Sequence, residues 1–352
     1  MSDVATYTDW LPPGLELVAL RLARADQLTF DLARLSFEWS KGPDDLGPLD
    51  LELIWVAPDK LDVVIRDIRR IPPLVTMLFS ESVNHLRAAI DNTVFHLVSD
   101  ARTTPLTDAQ ERRIAMPIYD DPARFDNWVA ENRRKGVIEL PDGDLIERIS
   151  SLQPFADETA VSSVSDASAA MQSVTPDRVH PLLLLQGYSN EDKHRSVRLA
   201  GAQTTFQRED RPFWESDRSM RPVHVGDVLG TVDHEVLAIS GTQPAVMVER
   251  PGGGVWVPPG RELDQLTQYV SATVIPMLVL GTTLAKALPV DIDLSDNGQT
   301  ARERIEAGKW VTAQDRQARV SLSATLEAMS KPPRLLPTPP RPAKFDDAAH
   351  DH

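Results

Sequence analysis

The chain has 352 residues, 41% of them hydrophobic, which is enough apolar material for one large or two ordinary domains and excludes a wholly disordered polypeptide. A formal net charge of -15 disfavours a protein that grips nucleic acid through a general phosphate-neutralising surface, though Arg87, Lys193, Arg195 and Arg198 are enough to build a small basic pocket. The lack of cysteine removes disulfides, thiolate nucleophiles and thiolate metal sites together.

The N-terminal stretch Met1–Asp9 is acidic, with neither a basic start nor an apolar run, so no secretory signal is expected and a cytoplasmic location follows. From about Leu15 to Trp39, Val18, Leu22, Ala25, Leu28, Leu32 and Leu35 recur at helical spacing and predict a long helix. Leu49, Leu51, Leu53 and Trp55 then alternate, Pro58-Asp59-Lys60 turns the chain, and Leu61, Val63 and Ile65 alternate again, which predicts a hairpin. Pro72-Pro73 opens the strongest helix, carrying Val75, Phe79, Val83, Leu86, Ile90, Val94 and Leu97 as far as Asp100.

Beyond it, Met116 to Tyr119 reads as extended, while Asp121 to Arg134 and Gly143 to Leu152 read as short helices. The serine-rich run Ser162 to Ser168 reads as a loop, and Leu182 to Leu185 after Pro181 as a buried helical turn. From Val197 to Val257 short strand-like runs predict a small antiparallel sheet, with Gly252-Gly253-Gly254 closing a turn. That glycine run lacks the Lys and Ser/Thr of a phosphate-binding loop.

Gln265 to Ala285 carries no formal charge, but its polar residues and the stripe Leu263, Leu266, Val270, Val274, Met277, Leu284 and Leu288 favour a buried helix kinked at Pro276 over a membrane span. Ala301 to Met329 reads as one further helix. The expected class is α+β: long helices with an N-terminal β-hairpin and a small antiparallel sheet in the second half. Its expected organisation is an extension over 1–12, a mainly helical part with the hairpin over 13–200, a sheet with covering helices packed on it over 201–330, and a disordered, Pro-rich, finally acidic tail over 331–352.

The densest polar chemistry lies in Asn190-Glu191-Asp192-Lys193-His194-Arg195, directly after an apolar run. Charges beside buried surface must be paired, exposed or functional. His194 is the only residue of the six whose side-chain type has an unperturbed pKa near neutrality, which suits general acid/base work, while Lys193 and Arg195 suit a phosphate or carboxylate. On the Pro73 helix, Arg87 and Asp91 are four residues apart and share a face, so they can pair with each other or reach Asp192 and Arg195. Glu81, His85, Asn92 and His96 return to another side, where Glu81, His85 and His96 are metal candidates only if another segment adds ligands; otherwise that side is solvated. No cofactor is expected.

Asn84-His85-Leu86-Arg87-Ala88-Ala89-Ile90-Asp91-Asn92 and Asp192-Lys193-His194-Arg195, with Met116-Pro117-Ile118 and Leu152-Gln153-Pro154-Phe155 between them, resemble landmarks of a bacterial protein family to which no activity is attached. The resemblance covers about Leu15 to Arg195. The helix is also similar to the Arg-to-His signature of HEPN ribonucleases and nucleotide-binding proteins, which implies a helical and often homodimeric molecule. Here Asn92 stands where that signature places its His, so a ribonuclease would need His194 instead.

Two functions follow as expectations. The first is a non-catalytic or regulatory binding protein in which Arg87, Asp91, Asn190, Asp192 and Arg195 form a polar clasp. The alternative is a metal-independent enzyme acting on RNA or a small phosphorylated ligand, with His194 as acid/base and Arg87, Lys193 and Arg195 on phosphate. Neither involves a membrane.

Overall fold

The computed structural model describes residues 8–42, 47–137, 144–172, 174–194, 197–206, 221–234, 238–239, 242–285, 288–329 and 334–343. Helix α1 (Glu16–Lys41) and helix α2 (Pro73–Asp100) are joined by the hairpin of β1 (Leu49–Ala57) and β2 (Lys60–Ile68). Short helices α3 (Asp108–Glu111), α4 (Pro122–Arg134) and α5 (Asp144–Ser151) follow. Next come β3 (Val161–Ser162), α6 (Asp166–Gln172), β4 (Arg178–Val179) and α7 (Pro181–His194). The strands β5 (Leu199–Phe206), β6 (Arg221–Pro222), β7 (Val228–Asp233), β8 (Ala238–Ile239), β9 (Thr242–Glu249) and β10 (Trp256–Val257) lead to α8 (Pro259–Tyr269). A π-helical stretch, Val270–Val274, connects α8 to α9 (Ile275–Leu280), and α10 (Ala301–Ala307), α11 (Ala313–Met329) and β11 (Arg334–Leu335) follow. The fold is α+β.

The main core forms where α1 and α2 cross. Leu22, Leu28 and Leu32 on α1 and Phe79, Leu86 and Ile90 on α2 are at most 1% exposed, as their helical spacing predicted. At the crossing, Thr29 and Ser82 both donate to the Ala25 carbonyl at 2.8 Å. Trp39 closes one end of α1, its indole N–H donating to the Arg69 carbonyl at 3.1 Å. A Cβ at position 201 would lie 2.9 Å from that ring, so the glycine lets β5 lie against it.

A second, smaller core lies on one face of an antiparallel sheet ordered β1-β2-β7. The alternation of the hairpin places Leu53, Trp55, Leu61, Val63 and Ile65 on this face. The other sizeable sheet has the order β10-β9-β5-β6. Strand β7, although it belongs to the second half, pairs with β2 from Lys60 opposite Asp233 onward.

Several local expectations are corrected. Ser162 to Ser168 is not a plain loop: β3 pairs with β4, Ser163 and Asp177 exchange hydrogen bonds, and α6 begins at Asp166. The helix through Pro276 contains a π-helical stretch immediately before it and stops at Gly281, whose φ of 76° gives the left-handed cap that ends helices. The single helix expected over Ala301 to Met329 is two. Gly308 breaks it, with a Cβ there lying 2.8 Å from Pro289, and Lys309 instead bridges to Asp291.

The tail is corrected as well. Residues 334–343, assigned by composition to a disordered segment, are laid on the molecule: β11 pairs with β8, and Leu336 is 4% exposed within the smaller core. Among the described residues, no helix is long and apolar enough to cross a membrane.

Candidate functional site

Arg87 and Asp91 lie one turn apart on α2, beside its buried stripe. Arg87 Nε donates to Asp91 Oδ2 at 3.0 Å, and Arg87 Nη2 donates to the Met116 carbonyl at 2.6 Å. Asp91 Oδ1 accepts the Met116 N–H at 2.9 Å. One ion pair therefore satisfies both backbone groups of Met116. Their side chains are 19% and 29% exposed, so the charges are shielded without being sealed.

The segment that follows is held in the same manner from the other side. The Gln153 side chain donates to the Pro117 and Ile149 carbonyls at 3.0 Å and accepts the Tyr119 N–H at 2.9 Å. Met116 to Tyr119 is thus extended without joining a sheet. Its ladder partners are the side chains of Arg87, Asp91 and Gln153, which answers where its backbone hydrogen bonds go. Three of the motifs singled out in the sequence converge here, Arg87/Asp91, Met116-Pro117-Ile118 and the Gln153 motif.

Asp192 does not join this clasp. Residues 190–194 form the end of α7, and Asp192 accepts from Asn84 at 3.0 Å rather than pairing with Arg87. Phe79 meets Tyr188 edge-on, with ring centroids 4.9 Å apart, so α2 and α7 run alongside each other and Asn84 is the α2 residue level with Asp192. Asn190 and Lys193 are exposed. The side chains of His194 and Arg195 lie outside the described residues. Arg198, a proposed fourth wall of a basic pocket, pairs with Glu249 at 3.0 Å.

Glu81, His85 and His96 do not gather. Eleven residues of helix place His85 and His96 about 16 Å apart along the axis. His96 packs where Gly14 enters α1, a Cβ at 14 lying 2.8 Å from its ring. His85 is half-buried near Arg21 and Arg24 of α1: burial first, then these two arginines, hold its pKa below the ordinary imidazole value. That positive field opposes a cation. Among the described residues no cluster of three metal-binding side chains occurs.

Three buried polar groups escaped the sequence. Arg250 and Glu262, 2% and 1% exposed, pair in bidentate fashion at 2.9 and 2.8 Å. Tyr188 donates to Glu262 at 3.2 Å, and Asp177 accepts from Arg250 at 3.1 Å. Burial raises the Tyr188 hydroxyl well above its usual range, keeping it a donor.

The second group is Asp157, His180 and Tyr269. Tyr269 donates to Asp157 Oδ2 at 2.6 Å, His180 Nε2 lies 3.3 Å from the same oxygen, and His180 Nδ1 accepts the Leu182 N–H at 3.2 Å. The third is Asp26, 2% exposed, which accepts from Arg316 at 2.5 Å and from the Ala313 N–H at the start of α11 at 2.7 Å. Its partners are some 290 residues away in sequence, so no local pattern announces them. His180 had a signal available, a polar residue directly before Pro181 at a helix start.

The structure thus defines an α+β protein whose described charged clusters hold segments together. No protein-family model, curated protein or solved structure matches the chain.

Proposed function

We propose that the chain is a non-catalytic binding or regulatory protein, and that the polar motif of α2 serves as a structural clasp. One observation carries this reading: Nε and Nη2 of Arg87 and both oxygens of Asp91 are engaged by each other and by the Met116 backbone. An arginine so committed is poorly placed to take up a phosphate. The clasp differs in its partner from the one the motif suggests, closing on Met116 instead of on Asp192.

The test sets purified full-length protein against the His194→Ala variant with single-stranded RNA and with nucleotides, in the presence of a chelator. The expected result is no cleavage by either. Metal-independent cleavage lost in the His194→Ala variant would overturn the proposal and favour the enzymatic alternative.

A further inference from the structure

The apolar face of the β1-β2-β7 sheet needs a cover, and part of it comes from the C-terminal segment. Leu336 is buried in the same core as Leu53, Trp55 and Leu61. The Trp55 indole N–H donates to the Pro339 carbonyl at 3.1 Å. The Arg341 guanidinium lies 5.8 Å from the Trp55 ring centre and donates to the Pro58 carbonyl at 2.8 Å. His234 stacks on Trp55, its ring 5.0 Å away.

In two of the three phases of this segment, exposure repeats every three residues. Leu336, Pro339 and Pro342 are buried or half-buried, whereas Pro337, Pro340 and Ala343 are exposed. A period of three belongs to the polyproline II helix, which proline favours by fixing φ and which has no internal hydrogen bonds. Its carbonyls are therefore free for an aromatic N–H. An aromatic surface offering an indole N–H to an extended proline-rich segment is a recurrent way of binding such peptides.

We propose that the sheet face around Trp55 is a binding surface for a proline-rich, arginine-containing peptide segment of another protein, and that residues 336–342 occupy it as an intramolecular competitor. The chemistry of the partner is read from the occupant: one apolar anchor, prolines three apart and one arginine. Intramolecular attachment gives the tail an effective concentration in the mM range, so it holds the surface closed against a weak free peptide. This deepens the binding-protein reading, on which it rests, and concerns a face apart from the α2 clasp. Peptide binding and RNA cleavage are read separately, so failure of one is distinguishable from failure of the other.

A labelled peptide with the sequence of residues 334–343 is titrated by fluorescence anisotropy into full-length wild type and into the full-length Leu336→Asp/Arg341→Ala variant. The loosened variant is expected to bind at least about tenfold more tightly, because a competitor that occupies the site lowers apparent affinity by the fraction left open. Adding Trp55→Phe, or replacing Pro339 and Pro342 of the peptide by alanine, is expected to weaken that binding several-fold. Absence of binding to a variant that circular dichroism shows to be folded, or equal binding to both proteins, overturns the proposal.

A second measurement avoids perturbing the core. The chain has no cysteine, so Ala343→Cys accepts a single spin label. The label is expected to gain mobility as unlabelled peptide is raised to about 10 mM, above the effective concentration of the tail. Mobility unchanged by saturating peptide overturns the proposal as well.

Discussion

Asp91 receives the Met116 N–H on Oδ1 at 2.9 Å and the Arg87 guanidinium on Oδ2 at 3.0 Å, so a helix side chain and a loop backbone are fixed by one carboxylate. Asp91→Ala leaves a backbone donor and a guanidinium without this acceptor. The expected loss is about 1–2 kcal/mol, the lower part of the range for charge-assisted bonds because both side chains retain some contact with water. Arg87→Ala should cost a similar amount.

The double variant should lose less than the sum by more than about 0.5 kcal/mol, since both residues serve the same backbone unit. Arg87→Lys should not restore stability, because a point-like ammonium cannot reproduce donation from two guanidinium nitrogens in a fixed plane. Urea unfolding of wild type and the four variants measures this. Strict additivity would show that the two residues do not act as one clasp.

Asp26 gives a pH dependence of the opposite sign to ordinary carboxylate pairs. Burial raises its pKa to about 6, and the Arg316 and Ala313 hydrogen bonds only partly offset that effect. The unfolded value lies near 3.9. Between the two the native state binds more protons, so the Asp26 contribution is full below the unfolded value and is lost as pH rises through about 6.

Asp26→Asn should flatten this slope. Arg316→Ala leaves a buried carboxylate without its cation and should cost about 3–5 kcal/mol at pH 7.5, with a smaller penalty at pH 5, where the carboxyl can take up a proton. Chemical denaturation at the two pH values checks both variants. A penalty for Arg316→Ala that grows on acidification would refute the assignment.

The elements that periodicity revealed are those whose partners lie within a helical turn or across a tight hairpin. The stripes of α1 and α2 and the alternation from Leu49 to Ile65 each record burial on one face, and burial on one face is what a repeating pattern encodes. The Arg87–Asp91 pair was legible for the same reason. Its real partner was not, because a backbone carbonyl and N–H at Met116 carry no side-chain signature.

Composition misled at the other end of the chain. The prolines from Pro337 to Pro342 exclude helix and sheet, but they do not exclude docking as an extended segment, and the aromatic that receives it, Trp55, lies 284 residues earlier than Pro339. The buried pairs Asp26–Arg316 and Arg250–Glu262 were hidden for a related reason. Charged residues read as surface until tertiary structure supplies the opposite charge.

His180 should occur as the neutral Nε2–H tautomer. Its Nδ1 is occupied as acceptor by the Leu182 N–H, leaving Nε2 to donate toward Asp157. Burial depresses the imidazole pKa and outweighs the attraction of Asp157. Asp157 itself is raised by burial, but hydrogen bonds from Thr159 and Tyr269 bring it below the ordinary carboxylate value.

For His180, the unfolded state binds more protons below about pH 6.5, so this contribution to stability is lost as pH falls from there toward the depressed folded value. His180→Asn keeps a side-chain acceptor for the Leu182 N–H at the helix start but does not titrate, so it should lessen the loss of stability on acidification. His85, depressed by burial and by Arg21 and Arg24, leaves a residual slope of the same sign. Nitrogen-15 shifts of the imidazole and denaturation curves between pH 5 and 7.5, as round experimental limits of about those values, test the two parts. A proton found on Nδ1, or a slope identical in wild type and His180→Asn, would remove His180 from this role.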